Sequence, residues 1–120
     1  MPQIRLEGSP ALLDALDLQP LIAEIHDRIV TIAKAQLIDC KTLVMDARAE
    51  RIGDGSLAML HAEIRLLPGR DLATKQALGA AVTEVMEKAV LPHKNGLSLH
   101  VTAEIIEFPK ETYSKRVIPA

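Results

Sequence analysis

Proline follows the initiator methionine in this chain, as Met1-Pro2-Gln3-Ile4-Arg5-Leu6. A small second residue lets methionine aminopeptidase remove Met1, which would leave a secondary amine on a rigid ring as the first group of the protein. A free terminus ordinarily frays in water. One that leads directly into a strand is held by the fold, and a buried amine loses proton affinity. A neutral proline nitrogen is a general base near pH 7, and a nucleophile as well. The other reactive side chains offer less. Cys40 precedes Lys41, an arrangement that can activate a thiol, but a small buried strand residue is the favoured reading. His26 reads as a solvated or helix-flanking residue and His61 as a sheet-face or interface residue. His93 and His100 have no acidic partner at metal-ligand spacing, so no metal is expected.

Composition narrows the function classes. Apolar residues make up 48% of the 120 residues but aromatics only 2%, so the core has to be built from Leu, Ile, Val, Ala and Met. The net charge of -2 is spread without blocks, which argues against a nucleic-acid or polybasic membrane surface. The lack of Trp, with one Tyr and one Phe, leaves no platform for stacking bases. A single cysteine cannot form an intramolecular disulfide and suits a reducing compartment. With no signal peptide or membrane-length apolar run, a soluble cytoplasmic protein of one domain is expected.

The elements that must position Pro2 follow from hydrophobic period. Gln3 to Glu7 alternates as a half-buried strand, and Gly8-Ser9-Pro10 breaks it. Ala11 to Leu16 reads as a short apolar loop leading to Asp17, a candidate N-cap, with Pro20 tolerated in the first turn. Helical spacing runs from Leu18 to about Ala35, with Leu21, Ile22, Ile25, Ile29, Ile32 and Ala33 in one stripe. A second strand is expected over Lys41 to Arg48, and Gly53-Asp54-Gly55 marks a turn. The third strand spans Leu57 to Leu66. Asp71 caps a second helix that runs to about Val90 and is ended by Pro92 and Asn95-Gly96. Leu97 to Ile105 alternates again as a fourth strand, and Phe108 to Ala120 reads as an extended tail.

The order is β-α-β, turn, β-α-β, and the sequence repeats itself. Ile4-Arg5-Leu6 recurs as Ile64-Arg65-Leu66, which sets Pro2 against Ala62. Each unit should hold two parallel strands joined through a helix. Together they predict an α+β fold, a two-layer sandwich with a four-stranded mixed sheet and both helices on one face. The other face is left bare in a single chain. Met59 and His61 on it suggest cover by further copies.

A Met-Pro start on a strand, duplicated β-α-β units and a Pro68-Gly69-Arg70 turn before the second helix together resemble the tautomerase superfamily. The run Gly69-Arg70-Asp71-Leu72, then Lys75-Gln76, is similar to a segment of the 5-carboxymethyl-2-hydroxymuconate isomerase family. Asp17-Leu18 before a proline, the Asp54-Gly55 turn, the His61 strand, and a tail with an aromatic and then Lys115 also fit that layout. The resemblance spans nearly the whole chain and rests on order and spacing.

It implies a homotrimer with active sites near the subunit interfaces, and cofactor-free keto-enol tautomerisation of a carboxylate-bearing 2-hydroxymuconate-type substrate. Pro2 would be the acid/base. Arg70, in a strand-to-helix turn, would hold a substrate carboxylate as a planar fork beside helix amides. Lys41 falls where the family carries an arginine, and supplies charge without bidentate geometry. Arg48, seven residues on, is the alternative cation. Two other readings stay open: the same proline serving hydrolytic dehalogenation or decarboxylation, and a trimeric small-molecule-binding or interaction protein with little activity. The last predicts that an extended N-terminus changes nothing.

Overall fold

Residues 1–120 are described by a computed structural model, whose sheet follows from the internal repeat. Strand β1 (Gln3–Gly8) pairs in parallel with β2 (Lys41–Met45), and β3 (Leu57–Leu66) pairs in parallel with β4 (Ser98–Glu107). The two halves join through an antiparallel β1–β3 ladder, giving the order β2-β1-β3-β4. This is the expected α+β sandwich with a mixed four-stranded sheet.

Three helices complete it: α1 (Pro10–Ala15), α2 (Leu18–Ala33) and α3 (Leu72–Val90). α2 and α3 are the two crossover helices. Leu21, Ile25 and Ile29 of α2, and Leu78, Val82 and Met86 of α3, bury their stripes against Ile4, Leu6, Leu60, Ala62 and Ile64 of the sheet. Each fully buried aliphatic side chain contributes about 1.5–3 kcal/mol of transfer free energy, so this layer dominates the stability. Asp71 caps α3 as expected, accepting from Thr74 N at 2.8 Å.

Four expectations are corrected. Ala11 to Leu16 is a helix rather than a loop: Pro10 sits in the first turn, where its missing N–H costs nothing, and Leu12 and Leu13 are buried. α2 ends at Ala33, because Lys34 turns left-handed at φ 58°. Asp17 flanks α2 but its side chain makes no capping bond. β2 stops at Met45, which leaves Arg48 beyond the strand in the exposed connection to β3. That connection turns on Gly53 and Gly55, both at positive φ, with Asp54 Oδ1 accepting from Ser56 N at 3.0 Å.

The tail is not simply extended. Phe108 is buried, its N–H donates to Leu66 O at 3.0 Å, and Lys110–Thr112 forms a 3-10 turn. Tyr113 then tilts onto Phe108 with ring centroids 4.8 Å apart, and Arg65 lies over the same ring at 5.6 Å. As far as Lys115 the tail therefore lies against its own chain, at the end of the sheet where the chain begins, while Val117 and Ile118 stay exposed.

The face away from the helices is bare, as expected. It presents Gln3, Arg5 and Glu7 of β1, and Met59, His61 and Glu63 of β3, beside exposed Leu43 and Met45 of β2. His61 Nδ1 is 2.7 Å from Thr102 Oγ1 on that face. No helix is long and apolar enough to cross a membrane.

Candidate active site

Pro2 is fully buried immediately before β1, at the open end of the central ladder. Proline cannot donate to a ladder, so a position before the first strand residue is where it does no harm. Its carbonyl instead accepts from Lys41 N at 3.2 Å. That bond continues the parallel β1–β2 register, in which Gln3 faces Lys41. The ladder itself thus carries Lys41 to Pro2.

A cluster of charge surrounds this point. Lys41 Nζ lies 3.0 Å from Met1 Sδ and donates to Asp39 O at 3.2 Å. Lys115 Nζ, from the tail, is 3.5 Å from the same sulfur and 3.3 Å from Asp39 Oδ1. The Met1 amine is held below the usual amine range, first by burial and next by the Arg70 guanidinium. Lys41 and Lys115 push it the same way, while the Asp39 carboxylate opposes them. Burial and the surrounding cations therefore both weaken proton binding at the start of the chain.

Arg70 is anchored on backbone. Its Nε donates to Ala33 O at 3.0 Å and its Nη1 to Leu67 O at 3.4 Å, which ties the turn before α3 to the C-terminal end of α2. Neither acceptor carries a charge, and none of the chain's ion pairs involves Arg70 or Lys41. Neither cation is paired with a carboxylate of its own chain.

Within one chain these groups do not line one cavity. Lys41 borders a groove of ≈ 430 Å³ with Gln3, Arg5, Leu43 and Met45 on the bare sheet face. Arg70 borders a separate hollow of ≈ 550 Å³ with Ile32, Lys34 and Thr74. Pro2 lies in neither. Arg48 is exposed in the connection after β2 and enters neither hollow.

Cys40 is not an activated thiol. Burial, then Asp39, push it above its ordinary range despite Lys41 and the terminal amine, and its Sγ rests 3.6 Å from Gln36 O. His26, read as helix-flanking, is part-buried with Nε2 2.7 Å from Thr42 Oγ1, a bond that joins α2 to β2. No group of three or more His, Cys, Asp or Glu residues is placed to hold a metal ion.

The family model described as 5-carboxymethyl-2-hydroxymuconate isomerase matches residues 2–118. The chain belongs to that family. The fold recurs in solved structures. One is a 5-carboxymethyl-2-hydroxymuconate delta-isomerase, at TM-score 0.79 and 17% identity, covering 98% of this chain and 88% of the other. A second is a 5-carboxymethyl-2-hydroxymuconate isomerase from Deinococcus radiodurans R1, at 0.76 and 19%, with 96% and 88% covered. A third, a fused 4-OT wild-type symmetric trimer, aligns at 0.62 and 21%, with 91% and 85% covered. A search of curated protein sequences finds no match. At these identities the structures establish the fold alone. This family member's own residues have to carry any argument about its chemistry.

Two contributors escaped the sequence reading. Asp39 belongs to no motif, and arrives through the 3-10 turn Leu37–Asp39 just before β2. Lys115 was named as a family-like position in the tail but given no role. Its proximity to Met1 depends on the fold of Phe108 and Tyr113, which sequence spacing does not encode.

Proposed function

We propose that this protein is an isomerase catalysing cofactor-free keto-enol tautomerisation of a 2-hydroxymuconate-type unsaturated 2-oxo acid, such as 5-carboxymethyl-2-hydroxymuconate. With Met1 removed, Pro2 is the general acid/base. Its neutral nitrogen takes the hydroxyl proton of the dienol. The O–H electron pair becomes the carbonyl π bond, the conjugated double bonds shift, and the prolinium returns a proton to a carbon of the chain. Atoms and charge balance without a cofactor. Lys41 and Arg70 hold the substrate's carboxylates and polarise its carbonyl oxygen. We further propose a homotrimer in the cytoplasm, by analogy with the trimeric 4-OT structure. In it, neighbouring copies cover the bare sheet face and bring the Lys41 groove and an Arg70 hollow to one site.

The observation that carries this reading is the burial of Pro2 beside an amine whose proton affinity burial, Arg70, Lys41 and Lys115 all lower. The test is ketonisation of 2-hydroxymuconate and its carboxymethyl analogue, followed by ultraviolet absorbance, with intact mass confirming loss of Met1. Activity that collapses in Pro2→Ala and in protein retaining Met1 is expected. A processed, correctly assembled protein inert on both compounds would overturn the assignment, and so would full activity with Met1 in place.

A further inference from the structure

Two ammonium groups from distant parts of the chain converge on one atom. Lys41 Nζ stands 3.0 Å and Lys115 Nζ 3.5 Å from Met1 Sδ. One residue holds both lysines in that attitude: the backbone carbonyl of Asp39 accepts from Lys41 at 3.2 Å, and its carboxylate pairs with Lys115 at 3.3 Å. Lys115 is delivered by an ordered segment, since Phe108 is buried and Tyr113 packs upon it.

A thioether is a weak acceptor, and each ammonium has three protons to place. The geometry is that of an anion site filled by the nearest available soft atom. Removal of Met1 takes the thioether away and leaves both donors facing the space its side chain filled. A carboxylate oxygen there would receive charge-assisted bonds from both. Asp39 neutralises one of the two charges, so the pair keeps a net charge of about +1, matched to one carboxylate.

We propose that Lys115 is a substrate-binding residue that forms, with Lys41, a two-lysine clamp for one substrate carboxylate, and that Asp39 is the positioning residue for the clamp. The proposal rests on the tautomerase reading of the same site and adds a specificity determinant to it. It also gives the tail a function: it closes the site with charge from its own subunit.

The test uses full-length protein shown by mass to lack Met1, in wild type, Lys115→Ala, Lys115→Arg, Asp39→Asn and the Asp39→Asn/Lys115→Ala double variant. Circular dichroism and sedimentation confirm fold and assembly. For 2-hydroxymuconate, Lys115→Ala should raise KM roughly ten- to hundred-fold with little change in kcat, the worth of a lost charged hydrogen bond. Lys115→Arg should restore most of it. Asp39→Asn should raise KM by less, and add nothing once Lys115 is gone. An unchanged KM in Lys115→Ala, a failure of Lys115→Arg to restore it, or additive effects at Asp39 and Lys115 would overturn the clamp.

A second measurement separates this from the catalytic reading. Calorimetric binding of cis,cis-muconate, which carries both carboxylates but no hydroxyl, should persist in Pro2→Ala and fall in Lys115→Ala. Equal binding by wild type and Lys115→Ala, or none by wild type, would overturn the clamp. If binding falls in Lys115→Ala while wild type turns over no substrate, the clamp stands and the tautomerase reading falls.

Discussion

Ile4 of β1 lies directly opposite Ile64 of β3 in the antiparallel ladder at the centre of the sheet. These are the equivalent residues of the internal repeat, so a local two-fold axis passes between them. The flanking pairs obey it: Gln3 faces Arg65 on one side, and Arg5 faces Glu63 on the other. Both isoleucines are buried, at 4% and 0% exposure, on the helix-covered face. Ile4→Ala and Ile64→Ala should each cost about 2–5 kcal/mol in denaturant unfolding at fixed protein concentration. Because the two side chains share one space, the double variant should depart from additivity by about 0.5 kcal/mol or more. Strict additivity would mean that the two units pack independently.

That symmetry explains how much could be read from sequence. The repeated Ile-Arg-Leu triplet gave two β-α-β units, and alternation in Leu57 to Leu66 gave the buried face correctly. Local signals that depend on one residue fared less well. Ala11 to Leu16 was read as a loop, although a proline in the first turn, here Pro10, is how a short helix begins. Leu43, Val44 and Met45 carried the second strand, but nothing local marked its end at Met45, and Arg48 was placed on it wrongly. Pro2 stood out as a candidate from the Met-Pro start on a strand, whereas Arg70 and Lys41 were named only through the family resemblance. Asp39 was not legible at all. Its importance comes from holding two lysines that are 74 residues apart, Lys41 and Lys115, and no sequence window spans them.

The junction after β1 should be intolerant of added volume. A Cβ on Gly8 would meet Met59 O at 2.7 Å, and a backbone oxygen has nowhere to go. Gly8→Ala should destabilise by about 1–3 kcal/mol. Next to it, buried Ser9 accepts from Met59 N at 3.0 Å through its Oγ. Ser9→Ala leaves that N–H unpaired, at about 1–3 kcal/mol. Wild-type stability in both would contradict the close β1–β3 approach described here.

His26 should make the fold acid-sensitive. Burial lowers its proton affinity below the ordinary histidine range, so the unfolded chain binds the proton more tightly than the folded one. The stability it supports is present above about pH 6.5, the unfolded value, and is lost as pH falls through the lower folded value. Melting temperature should therefore decline with acidification in that window, and less steeply in His26→Gln. A slope unchanged by the substitution would assign the acid sensitivity elsewhere.

Arg70 should act on the terminal amine even though its own donors rest on backbone carbonyls. Its guanidinium is the largest charge effect lowering the proton affinity of the Met1 amine, and Pro2 becomes the terminus at that point once Met1 is removed. A general base works only when unprotonated, so kcat/KM should fall on the acid side as pH drops through the amine pKa. Removing the cation raises that pKa, and the acid limb in Arg70→Gln should move to higher pH. Arg70→Lys keeps the charge but not the planar fork. It should leave the limb near its wild-type position, weaken substrate binding, and loosen the tie to Ala33 O at the end of α2. The two variants thus separate field from geometry. If Arg70→Gln lowers kcat/KM equally at all pH values, the arginine acts by binding alone, and any lowering of the amine's proton affinity must come from burial with Lys41 and Lys115.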